Sequence, residues 1–341
     1  MPVNATTTLG GTASNVTVGR IAHGLMMMTW TPNPVPDEQC FESIKAGVDA
    51  LPPGAKMVLN SGEFYAQDWG TANLELLSRF YAKYPEYADK TFLSVKGGMK
   101  NGGPDASFEN LSASIDNIQR VLGSVKKVDL FEPARVDHRV PIEKQMEYLV
   151  ALKNEGKFGH IGLSECSAET LRRAHTVHPV TAAEIEVSPW SYEENQKKVI
   201  ETARELGISV MAYSPLGKGF LTGQIKSRAD LAEGDARAHM TRFAEENLDH
   251  NFAIVNALTA VAERLGYTPA QLSLAWVAHL GTHVIPLPGS SKASRTLENL
   301  QAGDIKLSED DLAEVNKIIN SHEVKGDRYF GKSDEEMHLW G

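Results

Sequence analysis

Short apolar runs alternate along the chain with longer amphipathic stretches. The runs are LMMMTW at 25–30, MVLN at 57–60, TFLSV at 91–95, VDLFEPA at 128–134, HIGLSE at 160–165, AAEIEVSPW at 182–190, ISVMAYSPLG at 208–217 and HVIPLPGSS at 283–291. Runs this short and this continuously apolar read as strands buried on both faces of a parallel sheet. Between them, 38–51, 73–85, 108–123, 142–157, 167–177, 194–207, 252–266 with 269–281, and 293–303 carry apolar residues at helical spacing. Asp37 reads as the cap of the first of these helices and the PPG at 52–54 as its stop; Ser167 reads as another cap.

Eight strand–helix units with room for right-handed crossovers predict a closed (β/α)8 TIM barrel, with an open doubly wound sheet as the other arrangement. No G-x-G-x-x-G follows the first run, which weighs against the open sheet. Residues 6–24 predict an N-terminal β-hairpin, 308–322 an appended C-terminal helix, and 326–341 a polar tail with aromatics. The polar stretch 217–248 is longer than a connection needs and predicts a loop over a site. All of 1–341 is expected to form one domain around one core.

Composition narrows the classes of partner. The 341 residues carry a formal net charge of −10, which argues against broad nucleic-acid or anionic-membrane binding. No apolar run is long enough to span a membrane, and no basic segment followed by an apolar one opens the chain. Two cysteines, Cys40 and Cys166, cannot form a disulfide framework and fit a reducing compartment, so a cytoplasmic protein is expected. Cys166, near a strand end, reads as an inert thiol rather than a redox-active one. His175 and His178 lie three apart on a helix with no further ligands at useful spacing, so no metal is expected.

In a parallel barrel, chemistry gathers at the C-terminal strand ends. Asn60, Tyr65, Lys96, Ser164, Glu184, Tyr213 and Ser290 all fall there. An ammonium beside a phenol favours the phenolate, so Lys96 is expected to lower the Tyr65 pKa and make it a usable general acid. The run AYSPLGKGFLTG is a strand entering a glycine-relieved loop, not a Walker loop, because no G-K-[ST] closes it. PGSSKASRTLENL sets Gly289, Ser290, Ser291 and Lys292 at a helix N-terminus, where free N–H groups and the helix dipole favour an anion. With Arg295, these form a compact basic site in an acidic protein.

Taken together, LNSGEFY, FLSVKGG, AYSPLGKGFLTG and PGSSKASRTLENL resemble the aldo-keto reductase family in order and spacing over nearly the whole chain. The LNSGEFY loop is most similar to the pyridoxal reductase branch. The family's active site is a tetrad of Asp, Tyr, Lys and His. The resemblance puts Tyr65 and Lys96 at two of these places, Asn60 at the aspartate position and Ala134 at the histidine position. Glu132 and Arg135 flank that gap, and Arg135 can supply a replacement donor or bind an anionic substrate group. Without an anionic partner at position 60, Lys96 is expected to act more strongly on the phenol.

The resemblance also implies NADP(H) as cofactor. Tyr213 would stack the nicotinamide, with Ser214, Leu216 and Gly219 near the phosphates. Ser291, Lys292 and Arg295 would hold the 2′-phosphate, and Glu298 and Asn299 the adenine. Ser164 would bond the carboxamide, with Glu165 and Glu184 standing where the family has Asn and Gln. Trp30, Arg135 and Trp190, with Tyr329 and Phe330 of the tail, would line the substrate site. The implied function is reduction of an aldehyde, most specifically pyridoxal to pyridoxine, by a monomer or small homo-oligomer. A general aldehyde reductase and an NADP(H)-binding regulatory or redox-sensing subunit are the alternatives. A dehydratase or isomerase would need a metal or acid pair that the sequence does not present.

Overall fold

The computed structural model describes residues 3–231 and 233–341. A ribbon of β1 (Thr6–Thr8) and β2 (Thr17–Gly19) precedes the barrel, antiparallel as predicted. Eight parallel strands then follow around one sheet: β3 (His23–Gly24), β4 (Met57–Gly62), β5 (Thr91–Gly97), β8 (Leu130–Pro133), β9 (His160–Ser164), β10 (Ala182–Glu186), β11 (Ser209–Tyr213) and β12 (Val284–Leu287). The gap in that numbering is a small ribbon after β5, β6 (Met99–Lys100) with β7 (Gly103–Pro104). Ala22 N–H to Pro286 O and Gly24 N–H to Pro288 O, each 2.9 Å, join the first strand to the last and close the barrel. The open-sheet alternative is thereby excluded.

The helices are α1 (Met26–Thr29), α2 (Asp37–Asp49), α3 (Ala72–Lys83), α4 (Phe108–Leu122), α5 (Ile142–Asn154), α6 (Ala168–Val177), α7 (Glu194–Leu206), α8 (Glu245–Leu265), α9 (Pro269–His279), α10 (Ala293–Gln301) and α11 (Glu309–Ser321). Their apolar stripes pack on the outer face of the sheet, joining Leu59, Leu93, Phe131 and Ile161 to Leu77, Phe80, Ile118 and Leu149 in one core. A smaller core plugs the bottom of the barrel: Leu9 and Val18 of the ribbon meet Val58, Phe92, Leu130, Met211 and Ile285. The hairpin therefore closes the end away from the strand C-termini.

Three elements differ from the sequence reading. LMMMTW is not a strand. Pairing stops at Gly24, and unbranched Met residues, good helix formers, turn into α1 with Met26 and Met27 exposed. Asp37 does not cap α2; Pro36 holds that place, and the Asp37 carboxylate receives the Arg79 guanidinium instead. The stretch 217–248 is a loop whose described residues include four short 3-10 turns, but α8 begins within it at Glu245 rather than at 252, with Glu245 and Glu246 facing the positive helix end. Ser167 does cap α6, accepting the Thr170 N–H.

Candidate active site

The loop after β4 is held from three sides before its side chains do anything. Glu63 N–H donates to Lys96 O at 2.8 Å, tying the loop to the neighbouring strand. The Glu63 carboxylate accepts from Ser114 Oγ (2.5 Å) and Asn117 Nδ2 (2.8 Å) of α4. Asn73 accepts from Ser61 Oγ and donates to Leu25 O and Thr29 Oγ1, and Thr29 in turn donates to Tyr65 O at 2.7 Å. Gly62 completes the seat: a Cβ there would stand 2.7 Å from the Tyr65 ring. The ring is buried between Trp30, at 5.7 Å between centroids, and Phe64, at 5.5 Å.

Lys96 Nζ lies 5.6 Å from the centroid of that ring. It is not without a counter-ion. Glu184, from β10, meets it at 2.6 Å, and Glu132, from β8, at 3.6 Å. Asn60 bridges the group, accepting from Lys96 Nζ (2.8 Å) and donating to Glu184 Oε2 (2.6 Å). The expected strengthening of Lys96 for want of an acid is therefore corrected: the charge absent at position 60 arrives from position 184. Burial pulls the Lys96 ammonium down, but Glu184, Tyr65 and Glu132 outweigh it and hold it above its ordinary value. The expected lowering of Tyr65 is corrected as well. Burial raises the phenol pKa, Lys96 opposes, and Glu184 and Glu132 side with burial. The phenol is held protonated at neutral pH, as a proton donor requires. Burial beside Glu184 likewise raises Glu132 well above the ordinary carboxylate range.

Ala134 leaves a small, buried side chain at the end of β8. Arg135 points to the tail rather than into this gap, donating to Met337 O and to Ala134 O. Trp190 is 2% exposed and packs on Phe220, 4.4 Å away, and Phe243. It lies beneath the rim, whereas Trp30 contacts the exposed Trp69 at the mouth.

Apart from Glu184, which meets Lys96 and Asn60, the expected cofactor residues fall in two places. Ser164 Oγ is buried at the end of β9 with no hydrogen-bond partner, and Tyr213 ends β11. Ser214 has φ 49°, a left-handed turn that swings the chain through Leu216 into the Gly219 loop, where the Arg237 guanidinium donates to Lys218 O. At the other place, α10 starts at Ala293 with Ser291 half-buried and Lys292 and Arg295 exposed. The turn is fixed from below by His23 Nε2 on Ser290 O (2.8 Å) and Gln39 Nε2 on Ser291 O (3.0 Å). Asn299 is buried, and Glu298 accepts from Thr268 Oγ1.

Glu165 faces away from Ser164. With φ 54°, it sends its carboxylate to Arg328 and Tyr213, the latter hydroxyl donating at 2.7 Å. Arg328 also reaches Glu186, which Lys218 meets from the far side, and the Tyr329 hydroxyl bonds that of Tyr213. Burial alone would raise Glu186, but Lys218, Arg328 and Arg242 bring it down to about 2. The tail thus docks on the barrel mouth, its end fixed by Gly341 N–H to Glu165 O. Sequence reading missed Arg328 and Glu186, whose only signal was charge at positions otherwise read as tail and strand.

The family model described as "Aldo/keto reductase family" matches residues 20–320. The chain belongs to the aldo/keto reductase family. It is 37% identical over 319 residues to "Probable pyridoxal reductase 2" of Schizosaccharomyces pombe, covering 92% of this chain and 95% of that one. It is 34% identical over 330 residues to "Putative pyridoxal reductase" of Saccharomyces cerevisiae, with coverages of 90% and 94%. Among solved structures, the glycerol dehydrogenase AKR11B4 from Gluconobacter oxydans superposes with a TM-score of 0.78 at 21% identity, covering 94% of this chain and 97% of that one, a likeness of fold. The family membership makes this barrel an oxidoreductase of the aldehyde-reducing kind. Among the described residues, no helix is long and apolar enough to cross a membrane.

Proposed function

We propose that this protein reduces an aldehyde to the alcohol with NADPH, and that pyridoxal is its substrate, giving pyridoxine. The observation that carries the reading is the Tyr65–Lys96 pair, buried at the strand ends with its charge balanced by Glu184. The residues present suit a nicotinamide dinucleotide phosphate. Ser164 Oγ is an orphaned buried hydroxyl at the end of β9, and Ser291, Lys292 and Arg295 gather at a helix start where a phosphate is favoured.

When bound, the dinucleotide supplies a hydride for the carbonyl carbon. Tyr65 donates its hydroxyl proton to the carbonyl oxygen as negative charge develops there. Lys96 stabilises the tyrosinate that remains, and Glu184 and Asn60 keep Lys96 aimed. Trp30, Phe64 and Trp69 offer apolar faces at the mouth, suited to a flat aromatic aldehyde. The pyridoxal assignment comes from the two yeast relatives and from this aromatic rim.

A regulatory or redox-sensing subunit is favoured less. Both cysteines are buried, and burial pushes each thiol up to about 12, unlike a sensing thiolate. The reading is tested by replacing Tyr65 with Phe and following aldehyde-dependent NADPH oxidation alongside NADPH fluorescence on binding. Loss of turnover with binding retained supports a tyrosine acid; turnover that persists refutes it.

A further inference from the structure

Asn60, Lys96, Glu132 and Glu184 come from β4, β5, β8 and β10 and meet inside the barrel, none more than 5% exposed. One ammonium is enclosed with two carboxyl groups. Such a cluster is neutral only when one carboxyl keeps its proton, since an unpaired buried charge is costly. The contacts distinguish the two acids. Glu184 faces N–H donors with both oxygens, Lys96 Nζ at 2.6 Å and Asn60 Nδ2 at 2.6 Å. Glu132 meets Ser94 Oγ at 3.2 Å and Lys96 Nζ at 3.6 Å on Oε1 and abuts the Glu184 carboxyl, while its Oε2 is buried with no donor facing it. Paired donors mark the ionised carboxylate, and the under-paired acid is the one that keeps its proton.

Asn60 is matched to this arrangement. Its Oδ1 must face Lys96, which only donates, so its Nδ2 faces Glu184, which only accepts. A carboxylate at 60 with an amide at 184 would satisfy the same three contacts with the donor direction reversed between the two residues. Either single change breaks the set. Gln at 184 with Asn at 60 leaves Lys96 only the more distant Glu132, at 3.6 Å, as counter-ion, and Asp at 60 with Glu at 184 sets two carboxylates face to face without a proton.

We propose that Glu184 is a positioning residue that fixes Lys96 beside Tyr65, both directly and through Asn60, so that the amide and the carboxylate at positions 60 and 184 can be exchanged together but not singly. The proposal rests on the reading of Tyr65 and Lys96 as the proton-donating pair. Glu184 touches no reacting atom; it acts through the lysine.

The test compares wild type with Asn60→Asp, Glu184→Gln and the double variant, each also made with Tyr65→Phe. Two quantities are read. One is kcat and KM for 4-nitrobenzaldehyde with NADPH. The other is the pH at which Tyr65 ionises in the protein without added cofactor, taken from phenolate absorbance as the difference between each protein and its Tyr65→Phe counterpart. Glu184→Gln is expected to lose roughly 10²-fold in kcat with little change in KM. Its Tyr65 should ionise at lower pH than in wild type, because a carboxylate opposing the phenolate is gone. Asn60→Asp should be slowed too, with Tyr65 ionising at higher pH. The double variant should return toward wild type in both readouts.

Wild-type kcat and titration in Glu184→Gln would overturn the proposal, as would a folded double variant no better than the worse single one. Should Glu184→Gln fail to fold, Glu184→Asp keeps the charge but stops short of Lys96, and full activity in that protein overturns the proposal equally. A wild type that reduces no aldehyde would instead sink the functional reading, while the Tyr65 titrations would still judge the role of Glu184.

Discussion

Glu184 Oε1 lies 2.6 Å from Lys96 Nζ, although β8 and β9 stand between the strands that carry them. The contact crosses the lumen of the barrel rather than running along the sheet. It places the anionic partner of the lysine on a different strand from the one where resemblance to the family looks for it. Neutral Asn60 then completes the site by bridging the two charged groups instead of supplying one of them.

The basic start of α10 predicts cofactor preference. Lys292→Ala and Arg295→Ala are each expected to weaken NADPH binding by roughly 1.5–3 kcal/mol, the worth of a charge-assisted hydrogen bond, and to leave NADH binding unchanged. Fluorescence titration at low and moderate salt checks this, and the NADPH difference should shrink as salt rises. Equal losses for both dinucleotides would remove these side chains from the 2′-phosphate.

The tail predicts a dependence of stability on pH. Glu186 is depressed from 4.5 to about 2 in the folded protein by Lys218, Arg328 and Arg242, against its burial. A carboxylate with a depressed folded pKa adds stability that is full above its unfolded value and is lost as pH falls through the folded one. That window runs from 4.5 down to about 2, and the contribution is about 3 kcal/mol. Arg328→Ala should cost about 3–5 kcal/mol near neutrality, as removal of one partner from a buried ion pair does. Its deficit against wild type should narrow inside the acid window. Denaturant unfolding at several pH values measures both, and an unchanged midpoint would mean that the tail does not dock as seen.

Much of this was legible in the chain. Seven of the eight apolar runs became barrel strands because strands buried on both faces are continuous in hydrophobicity, and Lys96 at the end of β5 and Tyr65 in the loop after β4 follow from that order. The illegible parts share a cause. Met26–Thr29 is as apolar as a strand, and only the closing contacts of Gly24 with Pro288 show where pairing ends. Glu184 read as an odd substitution because its partner lies on another strand. Arg328 drew no reading because nothing local marks a tail arginine as buried between Glu165 and Glu186. Contacts between distant segments carry no periodic signal.

Gly62 offers a steric test of the tyrosine. A Cβ at this position meets the Tyr65 ring at 2.7 Å, so Gly62→Ala must move the ring or the loop. A displacement near 1 Å is expected to lower kcat by roughly 10²-fold, with NADPH affinity retained. Stopped-flow single turnovers separate the chemical step from binding. A fully active Gly62→Ala protein would show that the ring need not sit where it does.

Trp30 and Trp69 predict selectivity at the mouth. Trp30→Ala removes the ring that touches Tyr65, Phe64 and Trp69. It should raise KM for flat aromatic aldehydes more than for short aliphatic ones, since about 0.5–1.5 kcal/mol of ring–ring contact is lost only with the former. Parallel kinetics with benzaldehyde and propanal decide it; equal effects would place the aromatic rim outside the substrate site.

The most direct test of the whole account is NADPH oxidation by the purified protein with pyridoxal, run beside 4-nitrobenzaldehyde, in wild type and Tyr65→Phe. Wild type is expected to turn over pyridoxal with pyridoxine as the product, and Tyr65→Phe to lose roughly 10²–10⁴-fold. Reduction of 4-nitrobenzaldehyde alone would contradict the pyridoxal assignment. NADPH binding without turnover of either aldehyde would contradict the reductase itself.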